Sequence, residues 1–176
     1  ISGPVYGRIF HKELYYSGKK LIYKNFSNLA IEGEMAIILD KDLKISNAFP
    51  VIELHNFIFQ AKSKTLTELI ANNAINAGVV ISDKSKFKPI NQWTGSQILS
   101  VKVNGKTIDS GKLWAMQGGA EESINWLHQI LNRHGISLKP GNIILTGTSL
   151  SLYQVKCGDN IRVFVDKDEL VSCEVL

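Results

Sequence analysis

The chain has 176 residues, which is enough for one domain with a hydrophobic core. Hydrophobic residues make up 44% of it and charged residues 20%, as in ordinary globular domains rather than disordered chains. No apolar run approaches the roughly 20 residues that cross a bilayer, so we expect no transmembrane helix. The net charge of +4 comes from scattered lysines without interleaved aromatic residues. A solvated surface is therefore favoured over a nucleic-acid-binding one.

The start of the chain lacks the basic segment and apolar stretch of a signal peptide. Its first residue is Ile1 rather than Met, so we expect further residues upstream. The two cysteines, Cys157 and Cys173, are not spaced like metal ligands and predict reduced thiols in a cytoplasmic protein. Residues 1–176 contain no repeat or linker and predict a single domain of catalytic type.

Short stretches rich in Val, Ile, Phe and Tyr dominate the chain, and Gly, Pro, Asn and Asp separate them. This pattern is typical of strands joined by turns. Strands are predicted over 5–10, 20–25, 29–39, 50–58, 77–82, 97–103, 106–109, 142–146, 160–165 and 169–175. The pair Asn104-Gly105 predicts a tight hairpin turn, because both residues tolerate positive φ.

One amphipathic helix is predicted over residues 118–135. Four apolar side chains share one of its faces: Ile124, Leu127, Ile130 and Leu131. Acidic residues in its first turn and basic residues in its last turn complement the helix dipole, and Gly135 is the expected C-terminal cap. A shorter helix is predicted over 66–76. The predicted class is α+β, mostly β.

Two glutamates interrupt the predicted strand "LAIEGEMAIIL". Glu32 and Glu34 point to the same face, about 7 Å apart at a rise of about 3.3 Å per residue. On spacing alone, two solvated glutamates on a half-exposed strand are the ordinary interpretation. If both are buried, they repel each other unless a cation lies between them. Mg²⁺ and Mn²⁺ prefer such oxygen ligands.

The next strand, "PVIELHNF", carries Glu53 in an otherwise apolar run, with His55 on the same face. The ordinary interpretation is a paired or solvated Glu and a solvent-facing His. Three acids in two strongly apolar strands nevertheless favour a site formed by Glu32, Glu34 and Glu53. His55 is a candidate catalytic group or ligand beside it.

The order of segments carries a resemblance that no single motif would support. It runs "IEGEMAIIL", "FPVIELHNF", "ELIANNAINAGVVIS", "LKPGNIILTGT" and "VKCGDNIRVFV". This combination resembles the fumarylacetoacetate hydrolase superfamily. It is most similar to the branch of the 2-hydroxypenta-2,4-dienoate hydratases (2-keto-4-pentenoate hydratases) and 4-oxalocrotonate decarboxylases. The resemblance implies the mixed β-sandwich roll of the fumarylacetoacetate hydrolase C-terminal domain.

The resemblance also implies roles for particular residues. It makes Glu32, Glu34 and Glu53 the ligands of Mg²⁺ or Mn²⁺, and it places three side chains beside the substrate: Asn73, Thr146 and Thr148. His55 is not among the residues that the resemblance assigns; it is a candidate catalytic residue, recruited beside Glu53 for a different reaction.

The implied reaction starts from a small 2-oxo acid whose enolate is stabilised by the metal. We expect a hydratase of a 2-hydroxy or 2-oxo dienoic acid in the breakdown of aromatic compounds. The alternatives are an acylpyruvate hydrolase and a 2-oxo acid decarboxylase. The resemblance further implies a homo-oligomer, with a related decarboxylase or hydratase as an alternative partner.

The chain departs from the resembled pattern at positions expected to work in proton transfer and substrate binding. Val5 stands where hydratases can carry an acid, and Ile58 stands where they often carry an Arg. Ile75 and Asn76 replace two small residues, and an expected lysine would lie upstream of residue 1. A divergent metal-binding homologue with little or no activity is therefore a further alternative.

Overall fold

A computed structural model describes residues 4–59 and 65–176. Its strands are β1 (Leu14–Tyr16), β2 (Lys19–Leu21), β3 (Leu29–Leu39), β4 (Ile45–Asn56), β5 (Asn76–Ile81), β6 (Lys88–Pro89), β7 (Ile98–Val103), β8 (Lys106–Lys112), β9 (Ile143–Leu145), β10 (Tyr153–Gln154), β11 (Asn160–Val165) and β12 (Asp168–Val175). Its α-helices are α1 (Leu66–Ala71) and α2 (Gly119–Arg133).

The strands form two sheets that pack face to face. The first sheet has the order β1-β5-β4-β3-β10, with β6 added beside β4 and β9 beside β3. The second sheet has the order β2-β12-β11-β7-β8. Each sheet contains one parallel pair, β1 with β5 and β2 with β12, among antiparallel neighbours. This arrangement confirms the predicted α+β class, mostly β, with two mixed sheets.

The hairpin of β3 and β4 is the centre of the first sheet, and β3 has the predicted bounds. One face of β3 turns four fully buried side chains toward the main core: Leu29, Ile31, Met35 and Ile37. A second apolar cluster covers the opposite face: Ala36, Phe49, Val51, Val79 and Ile81. Because both faces are covered, these strands are apolar throughout instead of alternating with polar residues.

Gly33 lies at a close approach of the two sheets. A Cβ atom at this position would overlap Cγ2 of Val101 and would lie 3.5 Å from Cγ2 of Val163, both on the second sheet. Only a residue without a side chain fits there. The alternation of the strand then turns Glu32 and Glu34 to the face that lies away from the second sheet.

The predicted strand over 5–10 is wrong, and the structure begins its sheet at β1 instead. The peptide groups of Arg8 are satisfied by a side chain rather than by a neighbouring strand. Its N–H donates to Oδ1 of Asn73 at 2.6 Å, and its carbonyl accepts from Nδ2 of the same residue at 2.7 Å. A contact between residues so distant in the chain has no local sequence signal.

Two further predictions were too long. The strand predicted over 20–25 ends at Leu21, and a 3-10 turn follows at Tyr23–Asn25. The helix predicted over 66–76 ends at Ala71, because residues 73–75 all have positive φ. Left-handed backbone cannot continue a right-handed helix.

Helix α2 confirms the predicted amphipathic helix. Ile124 and Leu131 are buried in it, and Gly135 has a φ of +67° just beyond its end, as expected for the cap. Cys157 is exposed, Cys173 is buried, and neither forms a disulfide. None of the helices in the described parts of the chain is long and apolar enough to cross a membrane. The single-domain assignment stays a prediction.

Replacing Gly33 with Ala is expected to lower the free energy of unfolding by about 1–3 kcal/mol, because the new methyl group overpacks the contact with Val101. Urea unfolding followed by circular dichroism measures the change. Gly95→Ala is the matched control, since a Cβ at Gly95 meets no atom within 4 Å. A loss for Gly33→Ala no larger than that for Gly95→Ala would contradict the close approach of the sheets.

Candidate metal centre

The pairing of β3 with β4 brings four polar side chains onto one face. Glu32 lies directly opposite Glu53 in the ladder. Glu34 lies two residues further along β3, and His55 lies two residues further along β4. Because side chains alternate along a strand, all four project to the face opposite the second sheet.

Three of these side chains converge at one point. Nε2 of His55 lies 3.3 Å from Oε2 of Glu32 and 3.4 Å from Oε2 of Glu53. One donor atom from each of the three lies within 4.8 Å of the other two. We refer to Glu32, Glu53 and His55 as the donor cluster. The structure therefore brings together two of the three predicted metal ligands and the predicted catalytic residue.

His55 is buried, with 6% of its surface exposed, and neither ring nitrogen has a partner with hydrogen-bond alignment among the described residues. Burial by itself lowers the pKa of His55, because it disfavours the charged ring. The contacts with Glu32 and Glu53 outweigh this effect and raise the pKa to about 9. The two carboxylates thus draw positive charge to this position.

Glu34 lies beside the donor cluster and is 2% exposed. Its carboxyl group accepts a hydrogen bond from the N–H of Gly147. Burial and the neighbouring carboxylate of Glu53 raise the pKa of Glu34 well above its ordinary value. Burial would also raise the pKa of Glu53, but His55, Glu34 and a hydrogen bond from Asn76 lower it. The pKa values of the two carboxyl groups are therefore displaced in opposite directions, upward for Glu34 and downward for Glu53.

The residues of this face fit a divalent cation. Burying a charged carboxylate is unfavourable unless it is paired. The raised pKa of Glu34 reflects this unfavourable burial. Carboxylate oxygens with one imidazole nitrogen are ligands that divalent metals accept in proteins. The side chains of Glu32 and Glu53 are 20% and 16% exposed, so the donor cluster has an open side.

The segment Thr146–Thr148 is tied to β3 by both of its hydroxyl groups. Oγ1 of Thr146 donates to the carbonyl of Met35 at 2.9 Å. Oγ1 of Thr148 donates to the carbonyl of Gly33 at 2.8 Å. These two bonds place the N–H of Gly147, which lies between the two threonines, against the carboxyl group of Glu34 on β3. The hydroxyl protons of Thr146 and Thr148, two of the three predicted substrate-binding residues, are thus used within the protein, and their role toward a substrate stays a prediction.

Helix α2 fixes the same segment from its other side. Oγ of Ser123, which is buried in the helix, donates to the carbonyl of Thr146 at 2.8 Å. Ser123 thus anchors the segment Thr146–Thr148 to the helix. Its only signal in the sequence is a serine among apolar helix residues.

Asn76 belongs to the site, although the sequence identified it only as a departure from the resembled pattern. Its Nδ2 donates to Oε1 of Glu53 at 2.7 Å, and its Oδ1 accepts from the N–H of Gly78 at 3.0 Å. The side chain therefore orients one ligand carboxylate. The left-handed residues before it turn the chain into β5 at this point. The predicted substrate-binding Asn73 instead holds the peptide groups of Arg8, and no described contact joins it to the donor cluster.

An open cavity of about 500 Å³ borders this region through Asn76. Three lysines contribute to its wall: Lys12, Lys19 and Lys20. Ile58, the position of the expected Arg, also lines it and is 54% exposed. Val5 is half-buried in the segment that Asn73 holds. Neither Val5 nor Ile58 brings an ionisable group to the site.

Comparison with known proteins agrees with this architecture. Residues 10–175 match the fumarylacetoacetate (FAA) hydrolase C-terminal family, and the chain belongs to that family.

Two curated relatives illustrate the similarity. The chain is 25% identical over 150 residues to 2-hydroxyhexa-2,4-dienoate hydratase of Comamonas testosteroni, covering 77% of this chain and 55% of the relative. It is 24% identical over 194 residues to 2-oxo-hept-4-ene-1,7-dioate hydratase of Escherichia coli, covering 98% of this chain and 71% of the relative. The chain thus spans little more than half the length of the first relative.

Solved structures share the fold. A 4-oxalocrotonate decarboxylase from Pseudomonas putida G7, complexed with magnesium and adipate, has a TM-score of 0.90 at 18% identity; the match covers 100% of this chain and 71% of that one. A fumarylpyruvate hydrolase from Pseudomonas aeruginosa, in complex with Mn²⁺ and pyruvate, has a TM-score of 0.67 at 15% identity, covering 93% and 73%.

Replacing Thr146 with Val is expected to lower the free energy of unfolding by about 1 kcal/mol, since it removes the hydrogen bond to Met35. The loss is modest because the N–H of Thr146 still donates to the same carbonyl at 3.1 Å. Urea unfolding measures it, with the exposed Thr107→Val as control. Equal stability of the two variants would contradict a structural role for this hydroxyl.

Proposed function

We propose that this chain is the metal-binding catalytic domain of a hydratase that adds water to a 2-hydroxy or 2-oxo dienoic acid. The observation that carries the proposal is the set of three carboxyl groups on one face of β3 and β4, two of which converge with a buried imidazole. Similarity to hydratases of such acids supports the reaction class.

The proposed metal ligands are the carboxylates of Glu32, Glu34 and Glu53, with Mg²⁺ or Mn²⁺ as the cation. A cation held there supplies Lewis-acid stabilisation of the negative charge that develops on the 2-oxygen of the substrate. The N–H of Gly147 and the amide of Asn76 hold Glu34 and Glu53 in place. Such supporting hydrogen bonds orient the ligands and keep the donor atoms together.

The other predicted site residues have proposed roles beside the three carboxylates. Thr148 is half-buried beside the site and its hydroxyl oxygen retains a lone pair for a substrate donor. Thr146 acts with it through the backbone of the segment that they share. Asn73 contributes by holding the peptide groups of Arg8. For His55, the proposed role is proton transfer beside Glu53, at 3.4 Å.

The cavity beside Asn76 supports a small-acid substrate. Its volume of about 500 Å³ lies in the range of small-molecule sites. Three lysines in its wall outnumber its one acidic residue, Glu13, and favour a negatively charged occupant. A carboxylate of the dienoic acid fits these charges.

A second candidate is a metal-binding homologue with little or no hydratase activity. Val5 and Ile58 cannot transfer a proton or pair with a carboxylate, and His55 already places positive charge between two acids. Under this alternative, His55 neutralises part of the negative charge of the carboxylates. The protein then binds a cation or a dicarboxylate without catalysing hydration.

Turnover of 2-hydroxypenta-2,4-dienoate distinguishes the two candidates. The chain is expected to consume the dienol with Mg²⁺ or Mn²⁺, measured as loss of its ultraviolet absorbance, and to stop after chelation of the metal. Glu53→Gln is expected to reduce kcat/KM at least about 100-fold, because it removes a ligand charge. Glu169→Gln, at the exposed pair with Arg162, is the matched control and is expected to change it less than about twofold.

Calorimetric titration of Mg²⁺ or Mn²⁺, with and without oxalate as an enolate mimic, completes the experiment. Cation binding without turnover would favour the second candidate. Turnover of an acylpyruvate or of an oxaloacetate-like acid instead of the dienol would assign the hydrolase or decarboxylase alternative. A chain that binds no cation in either condition would overturn the metal site itself.

We further propose that the chain forms a homo-oligomer, with a related decarboxylase or hydratase as the alternative partner. Several large apolar side chains are more than half exposed in the described structure: Tyr16, Ile58 and Ile70. Their burial in an assembly would remove this apolar surface from water. Sedimentation equilibrium is expected to give a mass at least twice the 19.6 kDa of one chain. A monomer at all concentrations would contradict this proposal.

A further inference from the structure

Three consecutive residues before β5 have left-handed backbone. Asn73, Ala74 and Ile75 have φ values of +54°, +57° and +56°. This conformation is unfavourable for residues with a side chain, and most of all for a β-branched residue such as Ile75. The sequence favours a right-handed helix over 66–76 instead. Contacts with another part of the chain therefore hold these three residues in place.

The segment around residue 8 supplies those contacts. The side chain of Asn73 forms two hydrogen bonds with the peptide groups of Arg8, at 2.6 Å and 2.7 Å. Gly7 lies against the same residue, because a Cβ atom at Gly7 would be 2.6 Å from the carbonyl oxygen of Asn73. Gly7 does not have a positive φ, so the close approach rather than the backbone conformation requires a glycine there. We refer to Gly7, Arg8 and Asn73 as the clamp.

The residues on either side of Gly7 and Arg8 hold this end of the clamp in place. The ring of Tyr6 packs edge to face against Trp126 of α2, with ring centroids 6.5 Å apart. Ile9 packs against the apolar cluster on the outer face of the first sheet. The clamp thus ties the left-handed turn at residues 73–75 to a helix and to a sheet.

One carbonyl group links the clamp to the proposed metal site. The carbonyl of Asn73 accepts a hydrogen bond from the N–H of Asn76, which follows the turn. The side chain of Asn76 donates in its turn to Oε1 of Glu53 at 2.7 Å. Asn76 is extended, with φ −60° and ψ 137°. If residues 73–75 became right-handed, α1 would continue through Asn76 and its side chain would leave Glu53.

We propose that Asn73 and Gly7 are positioning residues of the metal site, which keep the turn at 73–75 left-handed and thereby hold Asn76 against Glu53. This inference rests on the proposed metal site and leaves its ligands Glu32, Glu34 and Glu53 unchanged. Hydrogen bonds that support a ligand typically change metal affinity by about 10- to 100-fold when they are removed. The clamp therefore controls cation affinity through Asn76, although no described contact joins Asn73 to the donor cluster.

Calorimetric titration with Mn²⁺ tests the clamp in Asn73→Gly. This substitution removes the clamping side chain and at the same time makes left-handed backbone easier to adopt. It is expected to weaken Mn²⁺ binding at least about tenfold. Ala74→Gly is the matched control, since it eases the same turn without touching the clamp, and it is expected to change the affinity less than about twofold. An affinity of Asn73→Gly within twofold of the wild type overturns the inference.

A double variant tests whether the clamp acts through Asn76. Asn76→Ala removes the hydrogen bond to Glu53 directly. Once that bond is gone, adding Asn73→Gly is expected to weaken Mn²⁺ binding less than about twofold further. Losses that multiply in the double variant, as for two independent defects, overturn the proposed route. Urea unfolding establishes that each variant is folded before titration.

A measurement on the wild type decides the matter if the variants fail to fold. Coupling between two sites is reciprocal, so a bound cation strengthens a clamp that favours its binding. Saturating Mg²⁺ is therefore expected to slow hydrogen exchange of the Arg8 N–H at least about threefold, measured by NMR. The N–H of Asp42, which donates to Oδ1 of Asp40 in an exposed turn, is the matched control and is expected to be unchanged. Equal exchange of the Arg8 N–H with and without Mg²⁺ overturns the inference.

The outcomes distinguish this inference from the proposed function. A wild type that binds the cation, together with an unaffected Asn73→Gly, overturns the positioning role and leaves the carboxylate site intact. A wild type that binds no cation overturns the proposed metal site, and the positioning role with it.

Discussion

Repulsion among three carboxyl groups on one face of the β3–β4 hairpin is the constraint to which the surrounding structure responds. Glu32 and Glu53 face each other directly, and Glu34 follows on the same side. Their burial in an otherwise apolar strand pair would be unfavourable without compensation. Among the described residues, the compensation comes from two sources: the ring of His55, and hydrogen bonds donated by Gly147 and Asn76.

The elements around the hairpin are arranged to deliver those donors. Thr146 and Thr148 fasten their segment to β3 so that the N–H between them meets Glu34. Ser123 holds that segment to helix α2. On the other side, the left-handed residues 73–75 end α1 and bring Asn76 against Glu53. Backbone strain of this kind is typically stored next to functional sites.

Close packing of the two sheets also affects where the carboxyl groups lie. Gly33 allows the sheets to meet at Val101, which leaves no room for polar side chains on that face. Strand alternation turns the carboxyl groups to the outer face, where Glu32 and Glu53 retain some exposure. A single residue without a side chain thus connects the packing of the core with the placement of the site.

Much of this protein was predictable from the sequence, because its strands and helices depend on local patterns. The mixed two-sheet fold, the bounds of β3, the amphipathic helix and the shared face of Glu32 and Glu34 follow from alternation, periodicity and turn residues. The order of motifs also led to the correct family. Local patterns were misleading where a distant side chain replaced the backbone partner, as Asn73 does for Arg8.

The tertiary structure alone decided how the site is assembled. Convergence of His55 with Glu32 and Glu53 depends on the register of two strands, and a shift of one residue would turn these side chains to opposite faces. The contacts of Asn76, Thr146 and Ser123 join segments that are between 23 and 111 residues apart. The sequence by itself determined which chemical groups are available and which face of each strand they share. Their distances, their burial and the direction in which their pKa values move depend on contacts between distant segments, which no local pattern encodes.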